Sequence, residues 1–177
     1  MSKRVTSTWY NFWQTTLHKW NVFKYMVKYD WSLWARALLH DLSKYSKHEA
    51  PYFAHTIFRL KHATYGSPEY TELLKKIEPA IKHHYSVNRH HPEHFKNGIV
   101  GMNETDKVEM IADWLAAVKR VKNGDIYKSL EINQKRFGYT DEDKEFFLSI
   151  VKKLEGDIRS ITAATRAAAC STEKREH

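Results

Sequence analysis

The sequence predicts an all-helical protein that folds as a single domain of about six to seven helices. Apolar residues recur three and four positions apart through several long windows, which is the period of a helix face. The 177 residues include only 6 glycines and 4 prolines, so few residues interrupt these windows. A chain of this length buries roughly 70% of the surface that it exposes when unfolded. We expect the domain to span residues 1–165 and the small and charged residues 166–177 to form a frayed tail.

Composition and charge restrict the classes of function. The formal net charge of +8 suits an anionic partner such as a small phosphorylated substrate, although a solvated basic surface is the simpler explanation. Basic residues alternate with acids along most of the chain, which does not favour nucleic-acid binding. The single cysteine, Cys170, excludes an internal disulfide and is typical of a reducing compartment, so we expect a cytoplasmic protein. We expect no signal peptide and no contact with a membrane, because no segment approaches the roughly 20 apolar residues of a span.

Helical periodicity first occurs between Ser7 and Tyr29. One face of this helix consists of five apolar residues and one polar residue, namely Trp9, Trp13, Thr16, Trp20, Phe23 and Val27. We expect these aromatic side chains to pack in the core, although the tryptophan-rich start of the chain could also leave an apolar surface for a second subunit. His18 lies about one turn before Val22 and could point into the same interior. It is then either a metal ligand or a buried histidine bonded to a carbonyl.

A second, shorter helix is predicted from Trp31 to Asp41. One face carries Trp31, Trp34, Leu38 and Asp41. An ionised carboxylate on such an apolar face is costly to bury unless it is paired or coordinates a cation. His40 precedes it, and a neighbouring histidine and aspartate can offer a nitrogen and an oxygen to the same ion. Lys44 either reaches the same opening to contact a phosphate or is simply solvated.

Two more helices are predicted before a histidine-rich segment. The third runs from about Ala50 to Ala63. Ser67 and Pro68 are a suitable cap and first residue for the fourth helix, which continues to about His84 and could bend at Pro79.

Histidine is concentrated at the end of the fourth helix and in the loop that follows. The five residues are His83, His84, His90, His91 and His94. Imidazole is the commonest metal-ligating side chain, so some of these residues are candidate ligands, whereas a solvated histidine-rich loop is the alternative. His84 continues the inward face of the fourth helix, and His83 lies on the adjoining row.

Three helices complete the predicted domain. The fifth runs from about Asn103 to Asn123, the sixth from about Asp125 to Phe137, and the last from Thr140 to about Thr165. The fifth helix is largely apolar but contains Asp113. This residue either pairs with Arg120, about two turns further on, or closes the coordination shell of a metal.

Taken in order, His18, His40-Asp41 and Asp113 resemble the ligand pattern of the HD-domain superfamily. That pattern is a histidine, a His-Asp doublet and a distant aspartate that together hold a divalent metal in an all-helical fold. Lys44 stands where many members have a lysine, and Ser43 stands where glycine is commonest. Residues 40–49, 90–94 and 108–117 more closely resemble an uncharacterised group of HD-like proteins of bacteria and their phages.

The resemblance implies a metal-dependent phosphohydrolase that cleaves a phosphate ester of a nucleotide or cyclic nucleotide. One or two ions of Mn, Mg, Co, Fe or Zn would be its cofactor, and His18, His40, Asp41 and Asp113 would hold the first. Superfamily members with extra histidines hold a second ion, for which His84 and His91 are the candidates here. Lys44, Arg89 and His94 would neutralise the phosphate or assist the leaving group, and Asp41 would also act in catalysis.

Two alternatives remain open at this point. A minority of the superfamily uses a similar ligand set to hold two irons and activate dioxygen, and such ligands do not exclude iron. The domain could also bind a nucleotide without turning it over and use the metal only structurally. Metal content and oxygen consumption would distinguish the first alternative, and intact release of a bound nucleotide would distinguish the second.

Overall fold

Seven α-helices and several short 3-10 turns make up the part of the chain that the computed structural model describes, residues 3–63, 67–121 and 123–156. The helices are α1 (Lys3–Tyr29), α2 (Trp34–Leu39), α3 (Ala50–His62), α4 (Pro68–Val87), α5 (Glu104–Val118), α6 (Ile126–Phe137) and α7 (141–156). These residues contain no strand, so the all-helical prediction is confirmed. The predicted domain end at 165 and the tail 166–177 lie outside the described residues.

Short polar side chains begin the helices where the sequence predicts them to do so. Ser67 accepts a hydrogen bond from the backbone N–H of Tyr70 at the start of α4, and that helix continues through Pro79. Asn103 and Asp106 form a reciprocal capping box at the start of α5.

Helix α5 ends at Val118, earlier than the sequence predicts. The chain turns back sharply against the end of this helix, and a Cβ atom added to Gly124 would lie 1.8 Å from the Val118 carbonyl oxygen. Only glycine permits this approach, and the turn prevents the helix from continuing to Asn123. The shorter α5 still contains Asp113.

The core lies around α5, which contacts α1 and α6. Its buried side chains include Val22 and Met26 of α1, Ile111 and Leu115 of α5, and Phe147 of α7. Helix α3 packs against α1 and α4, which brings the histidine-rich end of α4 towards α1. Among the described residues, no helix combines the length and apolar character that a membrane crossing needs.

The structure corrects the prediction that the tryptophan-rich face of α1 packs in the core. Trp9, Trp13 and Trp20 are exposed, whereas the opposite face of the helix, with Val22 and Met26, is buried. Helix α1 is apolar on both faces, and periodicity alone cannot tell which face is inside. The buried face is the one that carries His18, so α1 brings a histidine into the interior.

Candidate metal centre

The His40-Asp41 doublet lies in a turn immediately after α2. The helix ends at Leu39, and Asp41 adopts a left-handed backbone conformation with φ of 55°. Aspartate tolerates this conformation better than most residues do. The Lys19 ammonium group donates to the backbone carbonyls of Leu38 and His40 and thereby satisfies acceptors at the end of the helix.

This turn corrects the prediction that Asp41 continues an apolar helix face with Trp31, Trp34 and Leu38. Those three side chains are exposed, whereas Asp41 is 0% exposed. The helical projection fails because the helix ends two residues before Asp41, and the left-handed residue redirects the carboxylate inward. His40 and Asp41 are therefore buried together.

The structure brings together the four residues that the HD resemblance singles out. His18, His40, Asp41 and Asp113 each offer a ligand atom, and these atoms lie within 4.8 Å of one another. His40 Nε2 lies 3.5 Å from Asp41 Oδ2 and 3.7 Å from Asp113 Oδ1. Asp113 does not need Arg120 as a partner, because His18 Nε2 lies 2.6 Å from Asp113 Oδ1. We call these four residues the first cluster.

A second cluster shares Asp41 with the first. Asp41, His84, His90 and His91 also offer ligand atoms within 4.8 Å of one another. His84 Nε2 lies 3.2 Å and His90 Nε2 lies 3.4 Å from Asp41 Oδ1. His84 Nε2 and His91 Nε2 are 2.9 Å apart. The histidines that the sequence nominates for a second ion, His84 and His91, are thus both here, and His90 joins them.

The two oxygens of Asp41 face different clusters. Oδ2 is the oxygen near His40, and Oδ1 is the oxygen near His84 and His90. A carboxylate arranged in this way could bridge two cations, since each oxygen has lone pairs for its own ion.

Buried polar atoms without partners provide a direct test of whether these residues suit a metal. The structure leaves four such atoms among the described residues, namely His18 Nδ1, His40 Nε2, Asp41 Oδ1 and His90 Nε2. All four belong to the two clusters. A buried polar atom without a hydrogen bond is costly, and cations at the two clusters would satisfy His40 Nε2, Asp41 Oδ1 and His90 Nε2. His18 faces Asp113 with Nε2, so its Nδ1 lies on the other side of the ring. The donor set of imidazole and carboxylate suits first-row divalent ions.

Two buried glutamates lie behind the histidines. Glu109 Oε1 is 2.8 Å from His40 Nδ1 and 3.3 Å from His90 Nδ1. Glu49 Oε2 is 2.9 Å from His84 Nδ1, and Glu49 Oε1 is 2.8 Å from His83 Nδ1. An ionised carboxylate only accepts hydrogen bonds, so each Nδ1 carries the hydrogen and each Nε2 of His40, His84 and His90 is free to be the ligand atom.

Electrostatics keep the carboxylates of the site ionised. Burial alone would raise the pKa of Asp41, but the Lys44 ammonium and His40 hold it well below its usual range. Burial opposes ionisation of Asp113 too, and hydrogen bonds with His18 and His40 outweigh it, so its pKa is also lowered. The pKa of His90 is raised to about 9, because hydrogen bonds with Asp41 and Glu109 outweigh the effect of burial. A metal would therefore displace protons when it binds these residues.

A cavity of about 420 Å³ opens onto both clusters. His18, His84 and His91 lie in its wall, together with the cationic side chains of Lys44 and Arg120. The rest of the wall is mainly aromatic or apolar and includes Phe12, Tyr45, Phe53, Ile81 and Tyr85. Lys44 also donates to Asp41 Oδ2, so this lysine connects the cavity with the shared carboxylate.

Arg89 and His94 lie elsewhere, although the HD resemblance suggests that they face the substrate. The Arg89 guanidinium makes two hydrogen bonds to the buried carboxylate of Asp106. His94 Nδ1 lies 3.1 Å from the Tyr85 carbonyl oxygen. Both residues are described, and neither lines the cavity. Arg120 is the arginine that the structure places there instead.

The structure places in the centre three residues that the sequence does not single out, namely His90, Glu49 and Glu109. His90 lies in the histidine-rich loop, where periodicity does not predict which side chains point inward. Glu109 did leave a signal, since Asp106, Glu109 and Asp113 are spaced by three and four in an otherwise apolar helix. Of these three acids on one helix face, Asp106 and Glu109 are buried and Asp113 is partly buried, so all three require cationic or hydrogen-bonding partners.

Fold and site together define an all-helical protein in which buried clusters of His, Asp and Glu could hold metal ions. Residues 7–166 match a family described as a family of unknown function, DUF5662, and the chain belongs to this family. No curated protein and no solved structure matches the chain. The resemblance to the HD-domain superfamily stays a prediction.

Proposed function

We propose that the protein is a phosphohydrolase that uses two divalent metal ions and cleaves a phosphate ester of a nucleotide or cyclic nucleotide. The observation that carries the proposal is the position of Asp41. Its two oxygens face separate histidine clusters, and both clusters adjoin one cavity with cationic side chains. Paired ions beside an anion-binding pocket are an arrangement that can stabilise both the attacking and the leaving oxygen when a phosphoryl group is transferred to water.

Seven residues of the two clusters would hold the two ions. His18, His40 and Asp113 would hold the first, His84, His90 and His91 the second, and Asp41 would bridge them. The bound ions would supply Lewis-acid activation of water and of the phosphoryl group. When an ion has displaced the second proton, Glu109 and Glu49 would hold the remaining hydrogen of His40, His90 and His84 on Nδ1, so that Nε2 is aimed at the centre.

Two cations in the cavity wall would bind the phosphate group. The Lys44 side chain is only 27% exposed and would act as a compact positive charge close to Asp41. Arg120 is exposed, and its guanidinium lies 2.9 Å from Gln14 Oε1, so it is held at the cavity wall rather than extended into solvent. Both would stabilise negative charge that develops on the phosphate oxygens.

The remainder of the cavity supports a substrate with a flat, apolar part. The rings of Phe12, Tyr45, Phe53 and Tyr85 surround the space next to the cations. A volume of about 420 Å³ lies within the range of small-molecule sites. An aromatic base could pack against these rings while its phosphate faces the histidines.

A phosphate-release screen tests this proposal. Purified protein is incubated with mononucleotides, dinucleotides and cyclic nucleotides in the presence of Mn²⁺, Mg²⁺, Co²⁺ or Fe²⁺. We expect turnover of at least one class, and we expect that a chelator and the substitution Asp41→Ala each abolish it. Val100→Ala, at an exposed position away from the cavity, is the matched control and should retain full activity.

Two results of that screen would overturn the proposal. A protein that is purified with two irons and consumes oxygen, but releases no phosphate, is an oxygenase. A protein that binds a nucleotide and returns it intact with every metal is a binding module.

A further inference from the structure

Five of the six tryptophans of the chain are exposed on three successive elements, namely α1, the 3-10 turn Trp31–Leu33 and α2. The exposed fractions are 68% for Trp9, 58% for Trp13, 57% for Trp20, 73% for Trp31 and 49% for Trp34. We call these five residues the tryptophan face. Tryptophan is rarely left in water to this extent, because burying it is strongly favourable.

The residues of the tryptophan face come from elements that pack against each other. Trp9, Trp13 and Trp20 follow one side of α1. The segment after α1 runs back along it in the antiparallel direction, since Lys19 donates to the Leu38 carbonyl and the Thr16 hydroxyl lies 2.9 Å from the Tyr45 hydroxyl.

Leucines extend the apolar surface along this returning segment. Leu38, Leu39 and Leu42 are each more than half exposed. They follow Trp31 and Trp34 along the chain and lie beside α1. Because α2 packs against α1, the exposed apolar residues of these elements lie in the same region of the protein.

The size of this surface matches one half of a stable protein interface. The exposed parts of the five tryptophans equal about three whole side chains, or about 750 Å² at roughly 250 Å² each. The largest apolar patch of a typical monomer is about 300–600 Å². A standard interface buries about 800 Å² on each partner, so the tryptophan face with its leucines is sufficient for one.

We propose that the tryptophan face is the contact between two copies of this chain, related by a two-fold axis. An isologous contact needs a surface that is complementary to itself, and an aromatic and leucine surface meets this need because it places no charge opposite a like charge. Helix α1, with 27 residues, gives each copy a long rod that can pair antiparallel with its equivalent.

Two lysines of α1 that could assist binding to a lipid surface have partners within the protein. A helix that binds anionic membranes has free cations beside its apolar face. In α1, Lys19 donates to carbonyls at the end of α2, and Lys28 donates 2.7 Å to the Leu154 carbonyl. These two ammonium groups are engaged inside the protein, whereas Lys24, one helical turn after Trp20, is exposed, so binding to an anionic membrane is one of the outcomes that the experiment must distinguish.

Mass measurement in solution tests the proposal, and it is independent of the metal chemistry. Sedimentation equilibrium of the full chain should give twice the mass of one chain at micromolar concentration. The double substitution Trp13→Glu and Trp20→Glu should give a monomer with an unchanged far-ultraviolet circular dichroism spectrum. Ile132→Glu is the matched control, because Ile132 of α6 is 66% exposed but lies outside the tryptophan face; this variant should remain a dimer.

Dilution of the unmodified protein provides a second test that needs no variant. Dissociation should shift tryptophan emission to longer wavelength, since five of six tryptophans would return to water. A wild-type chain that is monomeric at 100 µM, or a double variant that remains dimeric, would overturn the proposal. Monomers that sediment with vesicles of phosphatidylcholine and phosphatidylglycerol would overturn it in favour of a lipid surface.

Discussion

Asp41 is the residue on which both histidine clusters depend. Replacing it with asparagine keeps its size but removes the negative charge and one of the two ligand oxygens. We predict that Asp41→Asn loses both ions and at least about a thousandfold in turnover, equivalent to several kcal/mol of lost stabilisation. Metal analysis after gel filtration, together with phosphate release, checks this. Undiminished metal content in the variant would show that Asp41 is not a ligand.

Glu109 and Glu49 are both buried carboxylates, but they contact different histidines. Glu109 contacts one histidine of each cluster, whereas Glu49 contacts only His84 of the second. We predict that Glu109→Gln weakens binding of both ions by about 10- to 100-fold, whereas Glu49→Gln weakens only one. Competition of Mn²⁺ with a fluorescent chelator measures both affinities.

Each glutamate variant is the control for the other. Both substitutions remove one buried charge, but Glu109→Gln also weakens the ion pair with Arg36, so urea denaturation of both variants is measured beside the metal affinities. Equal weakening of both ions by both variants would contradict the separate roles. Cobalt absorption spectra provide a further readout, because a histidine that turns away changes the ligand field.

At the scale of single residues, the sequence predicts ligands on helices better than ligands in loops. His18, His84 and Asp113 lie on helices, where a period of 3.6 indicates the inward direction. His90 lies in the loop after α4, where no such period exists. Glu109 could have been predicted, because an acid one helical turn before Asp113 shares its face.

At the scale of elements, the turn after α2 decides whether the doublet reaches the centre. Lys19 donates to the Leu38 and His40 carbonyls, so it connects α1 to the turn. We predict that Lys19→Met lowers the free energy of unfolding by about 1–3 kcal/mol and also weakens metal binding, because the His40 carbonyl loses its donor. Urea denaturation and a metal titration measure the two effects.

Lys28→Met is the control for that prediction. Lys28 lies on the same helix and also donates to a backbone carbonyl, that of Leu154, away from the metal centre. Lys28→Met should lower the free energy of unfolding by a similar amount and leave the metal affinity unchanged. If both variants bind metal as the wild type does, the turn does not depend on Lys19.

The two faces of α1 illustrate what periodicity leaves undecided. Both faces are apolar enough to be inside, and the richer face, with Trp9, Trp13 and Trp20, is the exposed one. The buried face includes His18, whose polar ring needs partners that only the interior of this fold supplies. A pattern in one helix cannot contain that information, because it depends on Asp113 in another helix.

At the scale of the whole molecule, the metal-free centre should make the free energy of unfolding depend on pH. Without metal, the pKa of His90 is raised to about 9, whereas an unfolded histidine titrates near 6.5. The folded protein therefore binds more protons than the unfolded chain between these values. We predict that the free energy of unfolding of chelator-treated protein falls by up to about 3 kcal/mol from pH 6.5 to pH 9.

Urea denaturation at the two pH values measures this dependence. Metal-loaded protein is the control, because His90 cannot take up a proton while it binds an ion, and the decrease should be absent there. A stability of the metal-free protein that is constant or rises towards pH 9 would contradict the prediction.

The number of metal ions bound per chain tests the central claim most directly. Equilibrium dialysis of chelator-treated protein against Mn²⁺, followed by elemental analysis, gives this number without assuming any substrate. The bridging position of Asp41 between two histidine clusters predicts two ions per chain. A value of one or zero at saturating Mn²⁺ would contradict the two-ion centre.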